Sequence, residues 1–200
     1  MPIRYFETLP KLIVTDVNKN SKVFTNLLAR ASIIQNLLID PLFCYNYDVK
    51  DSDTPETIAH KYYDTVDRFW LVMFANQIID PLWDWPLDTY DFNKYVNAKY
   101  GSTEISEIHH YEKIVTKTDI SSNTTTVEKF VIDKDTYDNL IESTDYYEFE
   151  SGEVSVIVTK KAIDNFEYEL NLNESKRTIK LINKIYAGQI ESELVKIMRI

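Results

Sequence analysis

The sequence predicts an α+β protein. Three observations carry this. A capped pair of short helices at 54–76 follows a strand-like segment at 43–49, alternating β-branched segments dominate beyond Gly101, and helical periodicity returns at 186–198. Together they predict a β-α-α-β module at about 43–87, an amino-terminal helical arm before it, and a β-rich carboxy-terminal half ending in a helix. The expected divisions are 1–42, 43–101 and 102–200.

Residues 2–17 read as extended, because Leu12-Ile13-Val14-Thr15 is β-branched and apolar while Pro2 and Pro10 oppose a helix. Residues 21–39 read as a helix capped by Ser21. Phe24, Leu27, Leu28, Ala31, Ile34, Leu37 and Leu38 recur at steps of three and four. Asp40-Pro41 ends it. Phe43 to Val49 alternates large and polar residues, the period of a half-buried strand. Asp51-Ser52-Asp53 makes a turn. Thr54 then caps a helix with Pro55 at its first position and Glu56 in its first turn.

Ile58, Ala59, Tyr62 and Tyr63 share a face of that helix, and a second helix runs from about Val66 to Asn76. The candidate core is Ile58, Tyr62, Phe69, Trp70, Met73 and Phe74. Asp80-Pro81 breaks the chain before Trp83-Asp84-Trp85-Pro86, which reads as extended. Residues 88–99 give a third helix, carrying Tyr90, Phe92, Tyr95 and Val96, with Gly101 as its cap. Strands are expected at Ile105–Val115, Thr124–Ile132, Val154–Thr159, Phe166–Leu170 and Arg177–Ile182, and one or two helical turns at Asp135–Ile141. Tyr186 to Met198 closes the chain as a helix.

The formal charge of −10 is uneven: residues 1–50 net +2, residues 51–175 net −16, and residues 176–200 net +4. An acidic body disfavours nucleic acid, whose binding rests on neutralising phosphates. Only 3 glycines are present, which disfavours phosphate-cradling loops, whereas 14 tyrosines suit half-polar contact surfaces. Cys44 is the only cysteine, so no internal disulfide or multi-cysteine zinc site can form. No apolar run approaches the ~20 residues that span a bilayer, and the first residues do not read as a basic-then-apolar signal peptide, so a soluble protein made in a reducing cytoplasm is expected.

Catalytic constellations are lacking. His109 and His110 are neighbours in an expected strand and should face opposite ways, and His60 has no second His or Cys at helical spacing. Asp84 with Asp88, or Asp64 with Asp67, would need a burial-raised pKa to act as an acid/base pair. Caps and a solvated face explain them better. No metal, cofactor or catalytic residue is assigned. Trp83 and Trp85, two apart in an extended segment, should project to one side with Asp84 opposite. They either pack on neighbouring helices or anchor a partner. The candidate protein-interaction residues are Trp83, Trp85, Tyr90, Tyr95, Tyr186, Lys184, Lys196 and Arg199.

The order strand, Ser52-Asp53-Thr54 turn, helix, short helix, Asn76 resembles a LysM module. Such modules carry a Gly-Asp-Thr turn, and in many of them the two connecting loops bind N-acetylglucosamine chains. Here the glycine is replaced by Ser52 and the exit is bulky, so no strong sugar binding is expected. A longer pattern resembles the baseplate wedge protein 53 family of T-even-type contractile phages. It runs through Tyr62-Tyr63, Phe69-Trp70-Leu71-Val72, Asn76, Asp80-Pro81-Leu82-Trp83-Asp84-Trp85-Pro86-Leu87 and Lys99-Tyr100-Gly101. It continues in Ile108 to Glu112, Phe166 to Asn171, Asn173 to Ile182 and Glu193 to Met198; residues 113–160 agree least.

That resemblance implies a structural protein of the virion tail baseplate, assembled in the host cytoplasm. It would be present in multiple copies in a six-wedge ring around the hub, bind other wedge proteins and help wedges join. Cofactor, membrane and nucleic acid are not expected. The rivals are a glycan-binding LysM-type module acting on cell-wall polysaccharide and an unrecognised hydrolase. The outer face around Trp83, Trp85 and Tyr90, the amino-terminal arm and the basic last helix are the expected contacts. The module is expected to fold without residues 184–200.

Overall fold

The computed structural model describes residues 2–17, 19–29, 31–33, 35–149 and 152–198. In chain order its elements are α1 (Tyr5–Thr8), β1 (Lys11–Thr15), β2 (Ser21–Thr25), α2 (Gln35–Ile39), β3 (Cys44–Asp48), α3 (Pro55–Tyr63), a 3-10 turn (Val66–Arg68), α4 (Phe69–Ala75), α5 (Pro81–Asp84) and α6 (Thr89–Glu104). There follow β4 (Ile108–Asp119), β5 (Thr124–Ile132), α7 (Lys134–Asn139), β6 (Ser143–Phe149), β7 (Gly152–Asp164), α8 (Asn165–Ser175), β8 (Thr178–Ile182) and α9 (Lys184–Met198). The protein is thus mixed α+β. The described residues fall into two units, 2–89 with 174–198, and 90–173.

In the first unit β3 and β8 form an antiparallel pair that matches Cys44 with Ile182 and Asp48 with Thr178. Helix α3 begins where the sequence places it. The Thr54 hydroxyl accepts from the Thr57 N–H at 3.2 Å, and the Thr57 hydroxyl accepts from the Thr54 N–H at 2.8 Å. This reciprocal cap satisfies two otherwise orphaned donors. Helix α4 is apolar nearly all round and is covered accordingly. Trp70, Leu71, Val72 and Ala75 are buried, whereas Phe69, Met73 and Phe74 are half-buried. With Ile58, Leu181, Ile182 and Ala187 the buried residues of α4 form one core cluster, against which the half-buried Tyr62, Phe69 and Phe74 pack.

Four expectations need correction. Tyr5–Thr8, expected to be extended, forms a helical turn. Residues 21–39 are not one helix: Ser21–Thr25 pairs with Lys11–Thr15 as a hairpin, and only Gln35–Ile39 is helical. The hairpin turn closes through Asp16, whose N–H donates to the Asn20 carbonyl at 2.9 Å and whose carbonyl accepts from the Lys19 N–H at 2.8 Å. Lys19 takes φ +61° there. Residues 166–170 are helical rather than extended. The buried positions of α8 are Asn165, Glu169 and Asn173, one every four residues, so its inward stripe is polar and escapes a search for apolar period. Finally, Trp83 lies in a helical turn that Asp80 caps by accepting from the Leu82 N–H at 3.0 Å. No strand forms among residues 77–87, and the partner of β3 arrives only at Thr178. Ile34, expected on the first helix, lies outside the described residues.

The second unit holds a four-stranded antiparallel sheet in the order β5-β4-β7-β6. Helices α6 and α8 are joined by Phe92 and Phe166, whose ring centroids lie 5.6 Å apart. The Lys99 ammonium and the Tyr100 hydroxyl both donate to Glu169 Oε1, at 2.6 and 2.8 Å. Gly101, with φ +67°, breaks α6 near its end, a conformation that suits glycine. Helix α7 rests on the sheet through Tyr137 and Tyr111.

Candidate protein-interaction site

The turn before α3 is built around a fully buried carboxylate. Asp53 accepts from the Tyr47 hydroxyl at 2.7 Å, the Lys50 N–H at 3.1 Å and the Lys61 ammonium at 2.5 Å. Burial pushes this carboxyl up, but the hydrogen bonds from Lys61, Tyr47 and Lys50 outweigh it, and its pKa falls below the ordinary aspartate value. The same contact pushes the Tyr47 phenol up to about 12. Across this turn lies the segment that leaves α5. The Trp85 indole N–H donates to the Asp53 carbonyl at 3.1 Å, and the Thr89 hydroxyl donates to Asp51 Oδ2 at 2.6 Å. Arg177 ties the same place together, reaching the Val49 carbonyl at 3.2 Å and Asp51 at 2.8 Å.

Asn76 ends α4 and grips β8. Its Oδ1 accepts from the Lys180 N–H at 2.7 Å, and its Nδ2 donates to the Lys180 and Val72 carbonyls at 2.8 Å each. On the other side of the unit, Arg68 meets Glu191 of α9 through two hydrogen bonds at 2.8 and 3.2 Å. The Tyr63 hydroxyl donates to the Ile182 carbonyl at 2.9 Å. Neither Arg68 nor Glu191 stood out in the sequence, because the partners are 123 residues apart and no local pattern marks them. Helix α9 buries Ala187, Glu191, Leu194 and Met198. Residues 184–198 therefore belong to the core, and removing them is a folding defect rather than a surface test.

On this frame Trp83 is 62% exposed on α5, next to exposed Ile79 and Leu82. Trp85 points inward instead, half-buried against the core. The two tryptophans do not form one outward pair, because the helical turn at Pro81–Asp84 breaks the strand alternation that would align them. Tyr186 packs its ring on Phe43, with centroids 5.3 Å apart. Lys184 pairs with Asp64, and Lys196 with Glu193 at 2.7 Å. In the second unit, Tyr90 is 75% exposed at the start of α6, and Tyr95 lies half-buried beside Lys99. Arg199 lies outside the described residues.

One chemical expectation changes in detail. A register shift between Ile108 and His110 brings the rings of His109 and His110 together, with their Nδ1 atoms 2.8 Å apart. A bulge breaks alternation in this way. His109 also stacks on Tyr168 at 3.8 Å. Among the described residues no group of three or more His, Cys, Asp or Glu is placed to hold a metal ion. Asp84 accepts from the backbone N–H groups of Asp80 and Ile79, which hold its pKa low, and Lys184 does the same for Asp64. A general acid needs the opposite shift. No described helix is long and apolar enough to cross a membrane.

No curated protein matches the chain. The model of the phage family described as base plate wedge protein 53 matches residues 5–200, nearly the whole length. A fold of core ties and outward apolar side chains, matched end to end in this way, belongs to the base plate wedge protein 53 family, structural proteins of the phage tail baseplate.

Proposed function

We propose that the chain is a clamp of the baseplate wedge. It binds inner wedge proteins and helps six wedges join into a ring around the hub of a contractile tail, with assembly in the host cytoplasm. The observation that carries this reading is the apolar surface held outward by a cross-tied core. Ile79, Leu82 and Trp83 stand exposed together on the α5 segment, which Asp80 and Asp84 cap. Exposed apolar groups gathered in this way mark protein-contact surfaces, and large aromatic anchors dominate their energetics. The chain's partners are other wedge proteins, and its net charge of −10 argues against nucleic acid. Tyr90, on the second unit, is a separate candidate contact.

The β3-α3-α4-β8 arrangement is LysM-like, with its closing strand supplied after residues 90–173. The Asp53-Thr54 turn and Asn76 support this, since they occupy the places at which such a module carries its turn and its asparagine. Glycan binding, the alternative, is disfavoured by Trp85, whose bulky indole donates to the Asp53 carbonyl of the connecting turn. Calorimetry with N-acetylglucosamine oligomers separates the two: micromolar affinity would promote the sugar reading. The clamp is tested with Trp83→Ala in co-assembly with purified wedge proteins, followed by sedimentation. Unchanged melting with wedge joining weakened about tenfold or more is expected for an interface anchor. Rings forming as readily as with the wild-type chain would remove Trp83 from the contact.

A further inference from the structure

Strands β1 and β2 carry apolar side chains on both faces of a two-stranded ribbon. The register sets Leu12 against Phe24 on one face and Ile13 against Val23 on the other. Ile13 and Val23 are 72% and 66% exposed, and Leu12, Val14 and Phe24 are about half exposed. None of the five belongs to the core cluster of the first unit. An isolated hairpin is marginally stable in water and gains its stability from a third strand or a covering surface. The ribbon is also basic: residues 11–25 hold Lys11, Lys19 and Lys22 against Asp16 alone.

The second unit presents the opposite half. Strand β6 is one of the two outer strands of its sheet, with β5 at the opposite edge; it is paired to β7 on one side, and its other edge has no strand beside it among the described residues. Tyr146, Tyr147 and Phe149 are exposed along it. Residues 142–153 contain Glu142, Asp145, Glu148, Glu150 and Glu153, with no lysine or arginine. Acidic residues on an edge repel a like edge and so prevent β6 from pairing with itself. They attract a basic strand and fix its approach.

We propose that the hairpin of one copy adds to the free edge of β6 in a second copy of this chain, extending the four-stranded sheet. This rests on the wedge reading only in that a ring holds several copies. Backbone hydrogen bonds along the edge would supply affinity, and pairing of Leu12, Ile13 and Val14 with the β6 aromatics would supply cross-strand packing. Hairpin and edge are different patches, so the contact is head-to-tail. Each copy gives one hairpin and receives another, and such a contact closes into a ring where the rotation permits.

The test uses the full chain in sedimentation velocity at low salt over a range of concentrations. One variant carries Lys11→Glu with Lys22→Glu, a second carries Asp145→Lys with Glu148→Lys, and a third carries all four changes. All the sites lie on exposed strands, and unchanged melting confirms folding. The wild-type chain is expected to associate with concentration. Each two-site variant alone should associate about tenfold more weakly or worse. Their mixture should regain association, because it contains one native and one charge-reversed hairpin-edge pairing, and the four-site variant should regain it through the reversed pairing alone.

As a second readout, Ile13→Cys chains mixed with Tyr147→Cys chains should form a disulfide between copies, with buried Cys44 out of reach. A wild-type chain that stays monomeric throughout overturns the proposal. So do charge variants that associate like the wild type, or a chain carrying both cysteines that closes the bridge within a monomer. Rings that form with wedge proteins equally well from wild type and both two-site variants also overturn it, while leaving the wedge role intact. Self-association as expected in a chain that never enters such rings would overturn the wedge role alone.

Discussion

Replacing Asn76 is the most informative single change in the first unit. One side chain satisfies both the N–H and the carbonyl of Lys180, on the edge of β8 that faces away from β3, and it also closes the last turn of α4. Asn76→Ala deletes these hydrogen bonds and leaves two half-buried backbone groups of β8 without them. At about 1 kcal/mol for each lost bond to β8, plus part of the 1–3 kcal/mol desolvation penalty for an orphaned group, the loss is about 2–4 kcal/mol. That corresponds to a fall in melting temperature on the order of 10 °C for a unit of this size. Asn76→Asp keeps the acceptor for the Lys180 N–H but sets a carboxylate against two carbonyls. It should cost at least as much at neutral pH and recover in acid. Trp70, Trp83 and Trp85, the only tryptophans, all lie in this unit, so tryptophan fluorescence during urea unfolding reports it selectively. Exchange of the Lys180 amide hydrogen should accelerate in parallel. If both variants unfold within about 0.5 kcal/mol of the wild type, the Asn76 tie contributes nothing net.

Three further outcomes are expected. Glu191→Ala strands the largely buried Arg68 guanidinium and should cost about 3–5 kcal/mol, whereas Arg68→Met with Glu191→Leu should regain most of that, read from a double-mutant cycle in urea. The Asp53 pKa is lower in the folded chain than the ordinary value, so its stabilisation is full above the ordinary aspartate range and is lost as pH falls through the folded value. Asp53→Asn should therefore melt well below the wild type at neutral pH and converge with it in acid, and a gap independent of pH would contradict this. Trp70→Ala should cost about 3–5 kcal/mol, and Trp70→Phe much less, because the buried indole N–H finds no acceptor among the described residues; equal melting of all three chains would show that the site is not core.

What the sequence displays well is local. Thr54, Pro55 and Glu56 announce α3 because capping is settled within four residues, and Tyr186 to Met198 announces α9 by its period. Where the reading fails, the deciding partner is distant or polar. The period at Phe24 to Leu38 is real as a pattern, but Ser21–Thr25 finds a strand ten residues upstream, and Asn18-Lys19-Asn20 was a turn signal between two β-branched runs. Helix α8 hides its inward face because Asn165, Glu169 and Asn173 are satisfied by Glu104, Lys99 and other groups rather than by apolar contact. The pairing of β3 with β8 cannot be read from either segment alone. Of the candidate contact residues, exposed Trp83 and Tyr90 needed only their own neighbourhoods, whereas the inward turn of Trp85 depends on the Asp53 carbonyl.

The separation of β3 from β8 governs the order in which the chain can fold. Cys44 must wait for Ile182, so a nascent chain has no completed two-stranded core until its last tenth is made. Joining strands across so long a disordered loop carries a large closure entropy and slows folding. Formation of the 90–173 unit first would shorten that loop, since Phe92 with Phe166 and Lys99 with Glu169 draw its entry and exit helices side by side. Weakening that pairing with Glu169→Ala should slow recovery of tryptophan fluorescence on refolding while leaving unfolding of the first unit little changed. Unaltered refolding would mean that the strands meet without this help. A chain cut short before Thr178 would lack one of the two strands altogether, so the sheet pair forms only in copies whose synthesis has run nearly to completion.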